Sequence, residues 1–327
     1  MKRTAITFTE TSELAELAKR FLNASMSESS RICYRSDWKN FVEFCESRGF
    51  VALPASTDTI CLFLSELTTI GRAVSTIVRA LTSVNKAHEI AGFPSIRNPI
   101  LKATLRGLKR ERGMPKNKMK GISYSEILEM ADHCECSFLG VRDQAILMLG
   151  WCSAVRRSEL IALNIGDLDF SEQGVIVTVK RSKTDQDGQG KHIAIPYAKN
   201  KSKNKICAVK SVKYWIERLP INEQSPEKPL FRSVGIGGRR FWSTEVGPRL
   251  NDRMISLIVK KYAKLCGLSP DKYASHSLRR GLATEAGARR IPERIIARHT
   301  RHVSIAVLRE YIEDGNIWID NPLNAIL

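Results

Sequence analysis

The amino-acid sequence predicts a mainly α fold with a small antiparallel β-sheet, an α+β chain in two domains. Three observations carry that expectation. Segments through residues 1–112 repeat apolar side chains at helical spacing and never alternate as strands do. Farther on, two β-branched runs, residues 175–179 and 192–195, read as a hairpin. Between these regions lies a basic stretch containing a proline, and 327 residues at roughly 100–200 per domain leave room for two cores.

Taken in order, Leu14, Leu17, Phe21 and Leu22 define a first helical face behind the cap residues Thr11 and Ser12. Tyr34, Trp38, Phe41, Val42 and Cys45 define a second, which stops near Gly49. Ile60, Cys61, Leu64 and Leu67 follow Pro54 and Asp58, and Val74, Ile77, Leu81 and Val84 make a fourth face. The fifth helix runs over Pro99–Arg112, with Ile100, Leu101, Leu105 and Leu108 on its apolar side. Residues 1–112 are therefore expected to be a helical domain, 113–122 a basic linker and 123–327 a second domain. In the latter, residues 123–133, 141–155, 208–219, 250–266 and 278–288 read as helices, and 187–190 as the hairpin turn.

The charge is far from balanced: 52 Lys and Arg against 34 Asp and Glu leave +18 and a pI near 9.7. An excess of that size points to a polyanionic partner, nucleic acid ahead of an anionic membrane. The longest apolar run, 145–155, is too short to span a bilayer, and Arg142 and Arg156 bound it. The amino terminus lacks a secretory pattern, so a cytoplasmic protein without a membrane partner is expected. Lys102, Arg106 and Lys109 recur at i, i+4 and i+7 on one face of the fifth helix. Arg110, Lys116, Lys118 and Lys120 continue the run, offset by Glu111 alone. These side chains are the candidate contacts to a phosphate backbone.

The eight cysteines read as buried, reduced thiols. His133-Cys134-Glu135-Cys136 lacks the second pair that a zinc site needs, so no metal is expected. Gly235-Ile236-Gly237-Gly238 lacks both the strand before a phosphate loop and the Lys-Ser/Thr after it. No Gly-x-Ser-x-Gly elbow is present. Hydrolase and nucleotide-binding readings lose their anchor, and no cofactor is expected.

A different set of boxes remains. Arg156-Arg157-Ser158-Glu159 comes first, then Arg181-Ser182-Lys183-Thr184 in the hairpin, His276-Ser277-Leu278-Arg279, His302, and Tyr311. In this order they resemble the tyrosine recombinase (phage integrase) family. Residues 27–45 and 181–184 are similar to its Cre-like branch. The chain departs from the family pattern in two places. Arg301 stands before His302 where the family usually has glycine, and Arg157 follows Arg156 where an apolar residue is commoner. His299 is an alternative third-box histidine; His302, nine residues before Tyr311, fits the family spacing.

The resemblance implies a DNA strand transferase that needs neither metal nor ATP. Tyr311 would form a 3′-phosphotyrosyl link and free a 5′-hydroxyl, a covalent intermediate that stores the broken bond. Arg156 and Arg279 would clamp the non-bridging oxygens, since a planar guanidinium matches phosphate. Lys183 would protonate the leaving oxygen, and His276 would transfer a proton or bind the phosphate. His302 would donate a hydrogen bond to the phosphate, and Glu159 would orient its neighbours. The resemblance further implies a two-domain DNA clamp, its first domain binding the core of an inverted-repeat site. A homotetramer would join two duplexes, with the tail at 322–327 docked on a neighbouring protomer. Two other functions use the same boxes: a topoisomerase IB-like or telomere-resolvase-like enzyme, and a DNA-binding regulator without catalysis.

Overall fold

The computed structural model describes residues 26–96, 98–113, 118–180, 190–198, 206–234, 246–316 and 322–326. The chain divides into two compact units between Lys116 and Asn117. The helix expected around Leu14 and Phe21 lies outside the described residues.

The first unit contains four described helices: α1 (Glu28–Arg48), α2 (Thr57–Thr69), α3 (Val74–Ile90) and α4 (Pro99–Arg112). Ser27, Ser56 and Asn98 cap three of them, each side-chain oxygen accepting a backbone N–H three residues on. Helix α1 stops at Gly49, whose φ of 69° suits a residue without Cβ. Phe41, Phe44 and Phe63 meet at the centre, with ring centroids 5.0 Å and 5.3 Å apart. His88 is buried and bonded through both ring nitrogens: Nδ1 donates to the Val84 carbonyl, and Nε2 accepts from the Ala55 N–H. Helix α4 buries only Leu101 and Leu108, two turns apart on one stripe. Ile100, expected on that stripe, is instead 59% exposed, because it sits about 100° around the helix from Leu101.

The second unit begins with α5 (Tyr124–Asp132), α6 (Phe138–Ser153) and α7 (Arg157–Ala162). A three-stranded antiparallel sheet follows, ordered β1 (Leu168–Phe170), β2 (Gly174–Val179) and β3 (Lys191–Pro196). Val175 faces Ile195 and Val177 faces Ile193 across the expected hairpin. Then come α8 (Ala208–Arg218), the pair β4 (Arg232–Val234) and β5 (Val246–Arg249), and α9 (Asp252–Leu265). Helices α10 (Ser275–Ala288), α11 (Glu293–Thr300) and α12 (Ile305–Asn316) complete the unit, with a short 3₁₀ turn at Pro322–Ala325. Strands β1, β4 and β5 were not anticipated, since three or four residues are too few for alternation to register.

Helix α6 is buried nearly all round, which is why its apolar run shows no polar face. Its two charged residues there, Arg142 and Asp143, pair with each other at 2.7 Å. Helix α10 lies close against the residues before α5: a Cβ at Gly281 would come within 2.0 Å of the Ile122 carbonyl oxygen. That close approach lets the Ile122 N–H donate to the Ser277 carbonyl while the Trp151 indole donates to the Ile122 carbonyl.

The cysteines depart from the expectation of burial. Cys45 and Cys207 are buried, Cys136 is exposed and the other five are half-buried. A thiol is small enough to sit at the margin of a core as well as inside it. Among the described residues no cluster of His, Cys, Asp and Glu could hold a metal ion, and no helix is long and apolar enough to cross a membrane.

Candidate active site

Two left-handed corners and two helices place the polar boxes together. Helix α6 ends at Ala154, fully buried with φ 49° and ψ 28°. A non-glycine residue there costs roughly 1–2 kcal/mol. The corner turns the Ala154 carbonyl to accept from Arg279 Nη1 at 2.6 Å and leads into Arg156, the residue preceding α7. Glu159, in the first turn of α7, reaches back to the Arg156 N–H and to Arg156 Nη1, each at 2.8 Å. The second corner is Arg301, φ 56° and ψ 45°, which ends α11 and starts the turn carrying His302.

Helix α10 presents His276 in its first turn and Arg279 and Arg280 one turn farther on. Helix α12 buries Leu308 and Tyr311 against Ala283, Ala286 and Ile296. Tyr311 Oη thereby lies 2.9 Å from His276 Nε2. The His302 ring stands edge-on to the Tyr311 ring with centroids 5.7 Å apart, and the Arg280 guanidinium sits 5.0 Å above that ring. Arg279 is 2% exposed and Tyr311 7%, whereas Arg156 and His302 are half-buried and His276 is exposed, so the cluster has a buried floor and opens to water at His276.

The electrostatics favour an anion. Burial, then the charges of Arg279, Arg280 and Arg156, hold His276 below the ordinary imidazole value. His302 is pushed down to about 3, by burial first and then by Arg279 and Arg156. Burial and the neighbouring Arg156 and Arg301 bring Arg279 down to about 10. Burial raises the Tyr311 phenol, against the pull of Arg280 and Arg279. Burial pushes the Glu159 carboxyl up, but Arg301 and the bonds from Arg156 outweigh it and keep the group ionised. At neutral pH both histidines are neutral, and His276 Nε2 is able to accept the Tyr311 proton. Thr300 donates its hydroxyl proton to the Ile296 carbonyl, so at 2.6 Å it accepts from His302 Nδ1. His302 Nε2 is then a lone pair in the free chain, and it donates only after gaining a proton.

Six of the sequence-predicted residues come together: Arg156, Glu159, His276, Arg279, His302 and Tyr311. Lys183 and Lys116 lie outside the described residues. The alternative His299 faces away, its Nε2 bonded at 2.7 Å to the Cys152 carbonyl. Lys102, Arg106, Lys109 and Arg110 are exposed on α4. Lys118 is engaged with Glu310 at 2.6 Å, and Lys120 with Glu126 at 3.0 Å beneath the Tyr273 ring. Arg157 pairs with Asp252 at 3.0 Å, outside the Glu159 cluster. Sequence reasoning missed Arg280, Arg301 and Thr300 as neighbours of Tyr311, His302 and Glu159. The only signals were an arginine doublet and an arginine where glycine was expected.

The fold and this cluster define the class of protein. The pattern of the Phage integrase family matches residues 120–316, more than half of the chain, and the chain belongs to that family. It is 38% identical over 314 residues to an integrase/recombinase XerD homolog of Selenomonas ruminantium, covering 94% of this chain and 88% of that one. It is 27% identical over 287 residues to tyrosine recombinase XerC of Thermodesulfovibrio yellowstonii, covering 85% and 83%. Two solved structures share the fold. One is the Tn1549 transposon integrase in complex with transposon right end DNA, with TM-score 0.60 and 13% identity over 94% of this chain and 95% of that one. The other is a lambda integrase dimer bound to a COC′ core site, with TM-score 0.58 and 18% identity over 94% and 96%.

Proposed function

We propose that this chain is a site-specific tyrosine recombinase that cleaves and rejoins duplex DNA through Tyr311. The observation that carries the reading is the 2.9 Å contact between Tyr311 Oη and His276 Nε2, with Arg279 and Arg156 beside them. Tyr311 passes its proton to His276 as its oxygen attacks the phosphorus. The new P–O(Tyr311) bond replaces the P–O5′ bond, and Lys183 delivers a proton to the departing 5′-oxygen. Arg156 and Arg279 hold the non-bridging oxygens where charge builds in the transition state. The negative charge of the incoming phosphate offsets the arginines that hold His302 down, so the ring takes up a proton from water and then donates through Nε2. Attack by a 5′-hydroxyl reverses the step, and a hydroxyl from another duplex gives exchange. A duplex nicked beside its cleavage point tests this: covalent trapping excludes a regulator, and transfer between two duplexes excludes a topoisomerase-like enzyme.

The exposed face of α4 supports a role for the first domain on DNA. Changing Lys102, Arg106 and Lys109 to Gln is expected to weaken binding to all sequences alike and flatten the salt dependence by about 0.9 log unit per lost phosphate contact. An unchanged slope in a titration from 50 to 300 mM salt would mean that the face is merely solvated. Lys118 and Lys120 already have part of their charge offset by Glu310 and Glu126, so Gln at these positions should flatten the slope less.

The reading extends to a homotetramer on two inverted-repeat sites, with the tail of one copy docked on the next. Leu323 and Ile326 are 50% and 74% exposed. The second unit has an apolar cavity of about 350 Å³ lined by Ile195, Tyr197, Leu282, Ile291 and Ile295 among others, which suits such side chains. Deleting residues 322–327 should leave cleavage of a nicked duplex intact while two-site complexes fail to form in light scattering. Normal assembly with earlier thermal unfolding would place the tail on its own domain.

A further inference from the structure

We infer that Arg301 is a positioning residue of the phosphate site, an inference that rests on the site assignment above. Through Glu159 it ties the turn carrying His302 to the loop carrying Arg156, and it keeps a buried cation ready for the oxyanion. Arg301 Nη2 donates to Glu159 Oε2 at 2.7 Å while Arg156 Nη1 donates to Oε1 at 2.8 Å, so one carboxylate joins two guanidiniums. The Arg301 and Glu159 side chains are 10% and 3% exposed. Arg301 Nε and Nη1 are buried and have no hydrogen-bond partner among the described residues.

Unused donors on a buried cation are unfavourable, and here they lie among other cations. Arg156, Arg279 and Arg301 outnumber Glu159, and the Arg301 charge is felt at both Arg279 and His302. An oxyanion relieves that imbalance. The backbone argues the same way. Arg301 adopts φ 56°, which glycine would take without strain, so what arginine adds at this corner is its side chain.

The test uses the full-length chain with inorganic phosphate as probe, titrated by calorimetry at low ionic strength and followed through the arginine Nε–H resonances. Arg301→Gly should bind phosphate about tenfold or more weakly, the scale of one charge-assisted hydrogen bond. Its thermal midpoint without phosphate should be no lower than that of the unaltered chain. Arg301→Lys should recover binding to within about threefold, since an ammonium still reaches Glu159 and keeps the charge. The Nε–H signal absent from Arg301→Lys should shift as phosphate is added to the unaltered protein. Unchanged phosphate affinity in Arg301→Gly, or no recovery with lysine, overturns the inference. If Arg156→Ala also leaves phosphate binding untouched, the phosphate-site assignment itself falls.

Discussion

Tyr311→Phe should bind DNA as tightly as the unaltered chain and form no covalent protein–DNA complex. The substitution removes one oxygen, the atom 2.9 Å from His276 Nε2. The ring keeps its packing against Leu308 and Ala283 and its place beneath Arg280, so the fold loses only a hydrogen bond of about 1 kcal/mol. Catalysis loses its nucleophile, a change on the order of 10⁶-fold where such groups have been removed from other enzymes. A denaturing gel of the reaction with a nicked duplex reads the result directly. Covalent complex at normal levels would assign the attack to another residue. Tyr262 and Tyr273 are poor substitutes, because their hydroxyls donate to Asp143 and Glu126. The burial and carboxylate neighbours that raise their phenols also keep them protonated.

Arg279→Met should lower the single-turnover cleavage rate by about 10²–10³, the cost of removing one preorganised oxyanion donor. It should do so while the free protein remains as stable as before. Burial and the adjacent Arg156 and Arg301 hold the Arg279 guanidinium down at about 10, so the fold disfavours its charge. Removing that charge relieves the fold, and losing the 2.6 Å bond to the Ala154 carbonyl offsets the relief. Methionine fills most of the volume, so no large cavity confuses the comparison. Arg156→Met should slow cleavage to a similar degree. Glu159 would still be held by Arg301, so its charge would remain paired. A normal thermal midpoint with a crippled rate is the signature of a group maintained for the transition state. Cleavage by Arg279→Met within tenfold of normal would show that this guanidinium does not face the reacting phosphate.

Much of this protein is local and was legible. Phe41, Cys45, Ile60, Leu64, Ile77, Leu81 and Val84 recur at helical spacing and are buried as that spacing implies, whereas the caps Ser27, Ser56 and Asn98, equally local, were not among the expected ones. The hairpin of β2 and β3 follows from β-branched runs, and the order of Arg156, His276, Arg279 and Tyr311 needs no coordinates at all. What required tertiary structure involves partners distant in the chain. Arg301 meets Glu159 across 142 positions, and Lys118 meets Glu310 across 192, so neither a buried cation nor an engaged lysine shows in composition or spacing. His299 and His302 are three residues apart, and only the left-handed corner at Arg301 separates them: one ring bonds the Cys152 carbonyl, and the other stands against Tyr311. Sequence determined which elements form and which chemical groups the chain carries, because periodicity and capping act over a few residues. The tertiary structure decided which of those groups meet and which are already paired, because those outcomes depend on how α6, α7, α10, α11 and α12 pack.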